Sequence, residues 1–180
     1  MLAIVPFKGP DGAKTRLAAA LSEEERARIA MIMFWRVLGA CRRAPSIRRT
    51  LLVTPDPRMA PDGVSVLVDR GEGHPAAIAL ALAEAGPDEG VLVVMADLPL
   101  VDEEALEALA NAARPLALAP ARDGGVNALA LREPGRFSPR FGLPAKEMIR
   151  AARRSGIMPV VVDDERLSLD VDRPADLAPA

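Results

Sequence analysis

Residues 91–106 read VLVVMADLPLVDEEAL. Val91 to Met95 is a continuous apolar run of strand length, β-branched for the most part and without polar alternation. Such a run fits a central strand covered on both faces, because a strand with one wet face alternates. Turn chemistry follows in ADLPLVD, and a helix then starts on Asp102. The Asp102 side chain can accept from the free N–H groups of the first turn, and Glu103 and Glu104 lie where the helix dipole favours negative charge. A buried strand, a loop and a capped helix in this order are the repeating unit of an α/β fold.

The same unit recurs on both sides. Upstream, Leu2 to Phe7 (LAIVPF) is a second apolar strand, followed by the loop KGPDGAKTRL. Ser22 and Glu25 then form an S-x-x-E capping box, and Ala30, Met33, Phe34, Val37, Leu38 and Cys41 recur at helical spacing until Pro45. Thr50–Thr54 and Val64–Val68 predict two short strands, and a helix is expected from about Pro75 to Ala85, with Gly86 as its stop. Downstream, Leu116–Ala119 and Ala128–Leu131 predict strands around the turn RDGGVN. A helix over about 145–155, a strand over 160–162 and the closing segment LSLDVDRPADL complete the chain. The expectation is one α/β domain spanning residues 1–180: three layers, with a mostly parallel, doubly wound, Rossmann-like sheet. Ligands of such sheets bind at the carboxyl ends of the strands. Four segments therefore compete for the site: the first loop, the start of the helix at Pro75, the loop after VLVVM, and the C-terminal acidic turn.

Composition narrows the chemistry. The 180 residues hold 23 Lys plus Arg and 25 Asp plus Glu, for a formal net charge of -2. That balance speaks against nucleic-acid binding through bulk positive charge. The aromatics are four Phe, one Trp and no Tyr, too few for a base-stacking platform. Cys41 is the single cysteine and His74 the single histidine, which excludes a disulfide framework and a Cys-built zinc site. The apolar runs are strand-sized, short of a membrane span, and no secretory leader is recognisable, so a soluble cytoplasmic protein is expected. A chain this poor in His, Cys and Tyr is poorly equipped for general-base chemistry. It suits phosphoryl or nucleotidyl transfer, where metal ions and cations supply most of the catalysis and an ionised phosphate or carboxylate can attack without a base.

Two groups of residues match that chemistry. Lys8, Lys14 and Arg16 sit on the Gly-containing first loop, a plausible phosphate cradle that is neither a P-loop nor G-x-G-x-x-G in spacing. The alternative is a basic surface loop before an amphipathic helix. Asp97 follows the most buried strand by two residues, and Asp170 and Asp172 alternate in LSLDVD, so both face one side if the segment is extended. Convergent carboxylates of this kind suit Mg²⁺; each taken alone reads first as a turn, capping or solvated-face residue, and it is their conjunction with a cationic first loop that favours the metal. RDGGVN is a hairpin turn or a backbone surface for a closely bound acceptor, and His74 reads first as a helix-entry residue.

Taken in order, VPFKGPDGAKTRLAAALSEEERA, MADLPLVDEEAL, RDGGVNALAL, RFGLPAKEM and LSLDVDRPADL resemble the 2-phospho-L-lactate or phosphoenolpyruvate guanylyltransferases of coenzyme F420 biosynthesis. The resemblance runs from Leu2 to about Leu177. It implies a single-domain nucleotidyltransferase fold and a Mg²⁺-dependent transfer of GMP from GTP to the phosphate of a small phosphorylated carboxylic acid, with release of pyrophosphate. It implies that Lys8, Lys14, Arg16 and Asp97 are catalytic and, with Gly73 and His74, bind the nucleotide. Asp97 with Asp170, or with Asp172 as second choice, would hold the metal. Val126, Asn127, Gly142, Ala145 and Lys146 would bind the acceptor. No nucleic acid or membrane partner is expected, and the sequence leaves oligomeric state open, a homodimer included.

The sequence departs from that family's pattern at four places. Val126 stands where Thr is usual, Ala145 near a usual Ser, Gly73-His74-Pro75 where G-L-N is usual, and Ala96-Asp97 where G-D is usual. The first two remove hydroxyl donors expected at the acceptor phosphate, each worth about 1–3 kcal/mol against a charged group. Lys146 and Arg140 lie beside the altered positions as substitutes. Two other readings share the fold: a nucleotidyltransferase with a different phosphorylated acceptor or nucleotide, and a nucleotide-binding paralogue without turnover.

Overall fold

A computed structural model describes residues 1–71, 73–86 and 88–177, with the backbone but not the side chain of His74. The strands are β1 (Leu2–Pro6), β2 (Arg49–Thr54), β3 (Ser65–Val68), β4 (Val91–Val94), β5 (Leu116–Pro120), β6 (Val126–Leu131) and β7 (Val160–Val161). The helices are α1 (Glu23–Arg43), α2 (His74–Leu82), α3 (Glu103–Ala112), α4 (Ala145–Arg154) and α5 (Glu165–Ser168). The strands form one sheet in the order β3-β2-β1-β4-β6-β5-β7. Only β6 runs against the others, pairing antiparallel with both β4 and β5.

Side-chain alternation sorts the sheet into two packed faces. Ala3, Val5, Leu92, Val94, Ala117, Ala119, Ala128 and Ala130 face the layer of α1 and α3. Leu2, Ile4, Val91, Val93, Leu116, Leu118, Leu129 and Leu131 face α2 and α4. Over the paired residues 116–119 and 128–131 of β5 and β6 the first face is alanine and the second leucine, so α3 packs on short side chains and α4 on longer ones. The three-layer α/β expectation is met.

Local signals hold where they were strongest. Ser22 and Glu25 make the reciprocal capping box of α1, and the Asp102 side chain accepts from the Ala105 N–H at 2.9 Å. Helix α2 ends at Leu82, three residues short of expectation, because Ala83 and Glu84 donate to Leu80 and Ala81 in tighter i→i−3 turns. Helix α5 was not anticipated; at four residues it is too short to show a period.

The chain leaves β1 for β2 and β3 on one side, whereas β4 and the later strands lie on the other. The direction of winding therefore reverses between β1 and β4. Beyond the carboxyl ends of these two strands opens the crevice in which the first loop and the Asp97 loop meet.

Candidate active site

The first loop turns on the Ala13 N–H, which donates to Pro10 O at 3.0 Å. Lys14 then adopts φ 53° and ψ 42°, the left-handed region, and is the one non-glycine residue with positive φ among the described residues. Such a conformation costs about 1–2 kcal/mol for a side chain with a Cβ, so tertiary contacts must hold it. Two do. Leu17, three residues on, is fully buried against Met33 of α1 and Val171. The Lys14 side chain is only 9% exposed and points its ammonium at two carboxylates.

Val171 also orients the C-terminal acidic turn. In LDVD it packs against Leu17, which leaves Asp170 and Asp172 on the opposite side of the extended segment. Lys14 Nζ donates to Asp97 Oδ2 at 2.6 Å and to Asp172 Oδ1 at 2.8 Å, and Arg16 donates to Asp172 Oδ2 at 3.2 Å. Asp170 stands beside them, its Oδ1 accepting from the Asn127 side-chain amide at 3.3 Å. One carboxylate oxygen from each of Asp97, Asp170 and Asp172 lies within 4.8 Å of the others. Burial raises the Asp170 carboxyl above its ordinary pKa; Asn127 opposes that, while Asp97, Asp172 and Asp123 add to it. Burial pulls on the Lys14 ammonium in the same discharging sense, but Asp97 and Asp172 outweigh it and hold its pKa above the ordinary lysine value.

This donor set fits a hard divalent cation. All the ligating atoms are carboxylate oxygens, and an octahedral Mg²⁺ with bonds of about 2.1 Å spaces its ligand oxygens about 3 Å or about 4.2 Å apart. The three oxygens, within 4.8 Å, need only small rotations to reach those spacings. The Lys14 ammonium stands between Asp97 and Asp172 and pairs with both.

A cleft of about 720 Å³ opens from Asp170 toward α4. Its floor is Met95, Val126 and Asn127; its walls are the Asp123–Gly125 turn and the Gly142–Lys146 segment, with Pro75 across from them. Gly142 has φ 87° and comes so near α2 that an added Cβ would stand 3.2 Å from Pro75 Cγ. Val126 and Ala145 both line this cleft, and both are buried at 9% and 6% exposure. Where hydroxyls were expected, the cleft presents methyl groups.

The expected residues therefore fall into two adjoining groups. Lys14, Arg16, Asp97, Asp170 and Asp172 are brought together by ion pairs or carboxylate proximity. Val126, Asn127, Gly142, Ala145 and Lys146 line the cleft that shares Asp170 with them. Asn127 has a second duty: its amide also donates to Ser168 O at 3.2 Å and so steadies the acidic turn. Lys8 is exposed at the end of β1 and makes no hydrogen bond or ion pair among the described residues. Gly73 caps α2 with φ 92°, next to Pro75, while the His74 side chain lies outside the described part of the structure. One contact escaped the sequence reading. Arg166 of α5 holds Asp164 and Asp102 together, and nothing in the spacing of residues 102 and 166 announces it.

The crevice at the β1/β4 switch point brings a cationic loop and three carboxylates together. Solved structures agree on the fold. A Desulfovibrio desulfuricans protein provisionally described as a nucleotide-diphospho-sugar transferase superimposes with TM-score 0.82 at 19% identity, over 98% of this chain and 84% of its own. A 4-diphosphocytidyl-2C-methyl-D-erythritol synthase does so with TM-score 0.65 at 17% identity, over 97% and 94%. This chain shares the fold of both proteins.

The sequence comparisons are narrower. The family model "Guanylyl transferase CofC like" matches residues 1–179. Phosphoenolpyruvate guanylyltransferase of Sphaerobacter thermophilus is 36% identical over 98% of this chain and 90% of its own length. 2-phospho-L-lactate guanylyltransferase of Methanoregula boonei is 35% identical over 97% and 79%. The chain belongs to the CofC-like guanylyl transferase family.

Proposed function

We propose that this protein transfers GMP from GTP to the phosphate of phosphoenolpyruvate or 2-phospho-L-lactate, releasing pyrophosphate, as a step of coenzyme F420 biosynthesis. The observation that carries the proposal is the convergence of Lys14, Arg16, Asp97, Asp170 and Asp172 at the β1/β4 switch point, beside a cleft of about 720 Å³. The names of the relatives supply the nucleotide and the acceptor class.

In this proposal Lys14 and Arg16 bind the triphosphate, with Lys8 reaching it from the exposed end of β1. Asp97 with Asp170 or Asp172 holds Mg²⁺, and Gly73 and His74 contribute to the nucleotide side. The metal, when bound, neutralises charge on the reacting phosphates. Lys14 turns from Asp97 and Asp172 toward the α-phosphate, exchanging one pair of anions for another. Val126, Asn127, Gly142, Ala145 and Lys146 hold the acceptor, whose phosphate oxygen attacks the α-phosphorus in line. The new P–O bond forms as the bond to pyrophosphate breaks, and Lys14 and Arg16 offset the charge on the departing group. The attacking phosphate is already ionised near neutral pH, its second pKa being about 6. No general base is required, in keeping with the dearth of His, Cys and Tyr.

Incubation of the purified protein with GTP, Mg²⁺ and each acceptor should release pyrophosphate. No release with either acceptor refutes the specific assignment.

Val126 and Ala145 favour a second reading, in which the acceptor is a related phosphorylated acid with an apolar flank against these methyl groups. A panel of nucleoside triphosphates against several phosphorylated acids separates the two.

A further inference from the structure

The three carboxylates come from two separate segments, and one arginine ties those segments together. Asp97 lies in the loop between β4 and α3, and that loop ends at Asp102, the N-cap of α3. Asp170 and Asp172 follow α5, whose N-cap is Asp164. Arg166 NH1 donates to both Asp102 carboxylate oxygens at 3.0 Å. Its Nε and NH2 donate to Asp164 at 3.1 and 2.8 Å, a bidentate pair. A single planar guanidinium thus holds the cap of α3 and the cap of α5 at once. That geometry depends on the fork of donors that arginine has and lysine lacks.

We propose that Arg166 is a positioning residue that sets Asp170 and Asp172 in register with Asp97, and so determines divalent-metal affinity. The backbone of α5 hands this register on. Ser168 O accepts from the Arg122 N–H at 3.1 Å and from the Asn127 amide, and two residues later comes Asp170. Among the described residues, the one backbone hydrogen bond that joins the two acidic segments directly, Val171 N to Asp97 O, is long at 3.4 Å. Lys14 pairs with the Asp97 and Asp172 carboxylates themselves, so the Arg166 clamp is what aligns the backbone of the two segments beneath them. A small shift of α5 along α3 would leave each carboxylate intact and spoil the ligand set, because Mg²⁺ tolerates little deviation from octahedral geometry.

The inference rests on the metal role proposed above. Its test reads Mn²⁺ binding by calorimetry and by electron paramagnetic resonance, with GTP present and acceptor absent, alongside the melting temperature. Arg166→Gln and Asp102→Asn are the variants; the asparagine keeps the N-cap acceptor of α3 and removes only the charge. Both should weaken Mn²⁺ binding about tenfold, in the range seen when residues that orient metal ligands are removed. Arg166→Lys should restore part of that loss. In turnover, the metal concentration for half-maximal rate should rise while the KM for GTP at saturating metal stays within about twofold. Unchanged Mn²⁺ affinity in Asp102→Asn and Arg166→Gln, with or without a lower melting temperature, overturns the positioning role. A wild-type protein that binds no Mn²⁺ and releases no pyrophosphate overturns the metal role itself.

Discussion

Lys14 and Asp97, 83 positions apart in the chain, form a 2.6 Å ion pair at the crevice where the sheet reverses its winding. Asp172, on the other side of the same ammonium at 2.8 Å, completes a bridge between the first loop and the C-terminal turn. The cation-rich and acid-rich ends of the chain thus meet in one place, before any substrate is bound.

Replacing Lys14 with Met should remove turnover to at most about one hundredth of wild type, the scale expected when a charge facing the reacting phosphates is lost. It should also destabilise the metal-free protein by about 1–2 kcal/mol, since the two carboxylates are a third exposed and only the lysine is buried. Added Mg²⁺ should recover most of that stability, because it neutralises the same carboxylates. Denaturation with and without chelator, beside pyrophosphate release, checks both outcomes.

Asp97→Asn should lower turnover by about 10² or more while leaving the fold intact, since Asp97 lies on a surface loop and an amide is nearly isosteric with its carboxylate. Circular dichroism and the rate of pyrophosphate release are the measurements. An active Asp97→Asn protein argues directly against Asp97 as a metal ligand.

Asp170 carries a pH signature in the metal-free protein. Its folded pKa is raised by burial and by Asp97, Asp172 and Asp123, against the pull of Asn127. The folded state therefore holds this proton more tightly than the unfolded chain. Stability from this group falls as pH rises from the ordinary carboxylate range through the raised value, and the penalty is complete above it. Asp170→Asn removes the penalty and keeps an acceptor for Asn127. The variant should be more stable than wild type at pH 7 in chelator, with the difference shrinking as pH falls into the carboxylate range. Urea unfolding across pH 4–7 reads the sign.

Val126→Thr and Ala145→Ser add hydroxyls to the cleft that Asp170 borders. Each should lower the KM for a phosphorylated acceptor about fivefold, the equivalent of about 1 kcal/mol for one new hydrogen bond. The KM for GTP should not move. Steady-state kinetics with each substrate varied in turn tests this. A rise in acceptor KM indicates that the methyl groups contact an apolar flank.

Gly142→Ala should impair the acceptor side selectively. The added methyl meets Pro75 at 3.2 Å and must adopt φ 87°. The combined cost should be about 1–2 kcal/mol in stability, with a higher acceptor KM as the Gly142 segment moves relative to α2. Thermal melts and the same kinetics decide it.

The helices and strands were legible because their signals are local. The capping box at Ser22 and Glu25, the apolar stripe of α1 and the apolar run of β4 each need only a few neighbouring residues to be recognised. Helix α5 and the tight end of α2 were not legible, since four residues show no period and an i→i−3 turn leaves no signature. In the candidate site the residue types were readable: hard oxygen donors, loop cations, glycines at turns. Lys8 shows the limit of such a reading, because it shares the first loop with Lys14 and Arg16 while its side chain makes no ion pair with the carboxylates among the described residues.

By itself the sequence determined the three-layer α/β class and the two ends that bear opposite charge. Only the tertiary structure decided which charges meet. Lys14 and Asp172 are 158 positions apart, and their contact depends on where β1 and β4 sit in the sheet and on Leu17 packing against Val171. The Arg166 clamp between Asp102 and Asp164 is of the same kind. Local preference fixes one residue against its near neighbours, whereas the register of distant loops is set by the shared core beneath them.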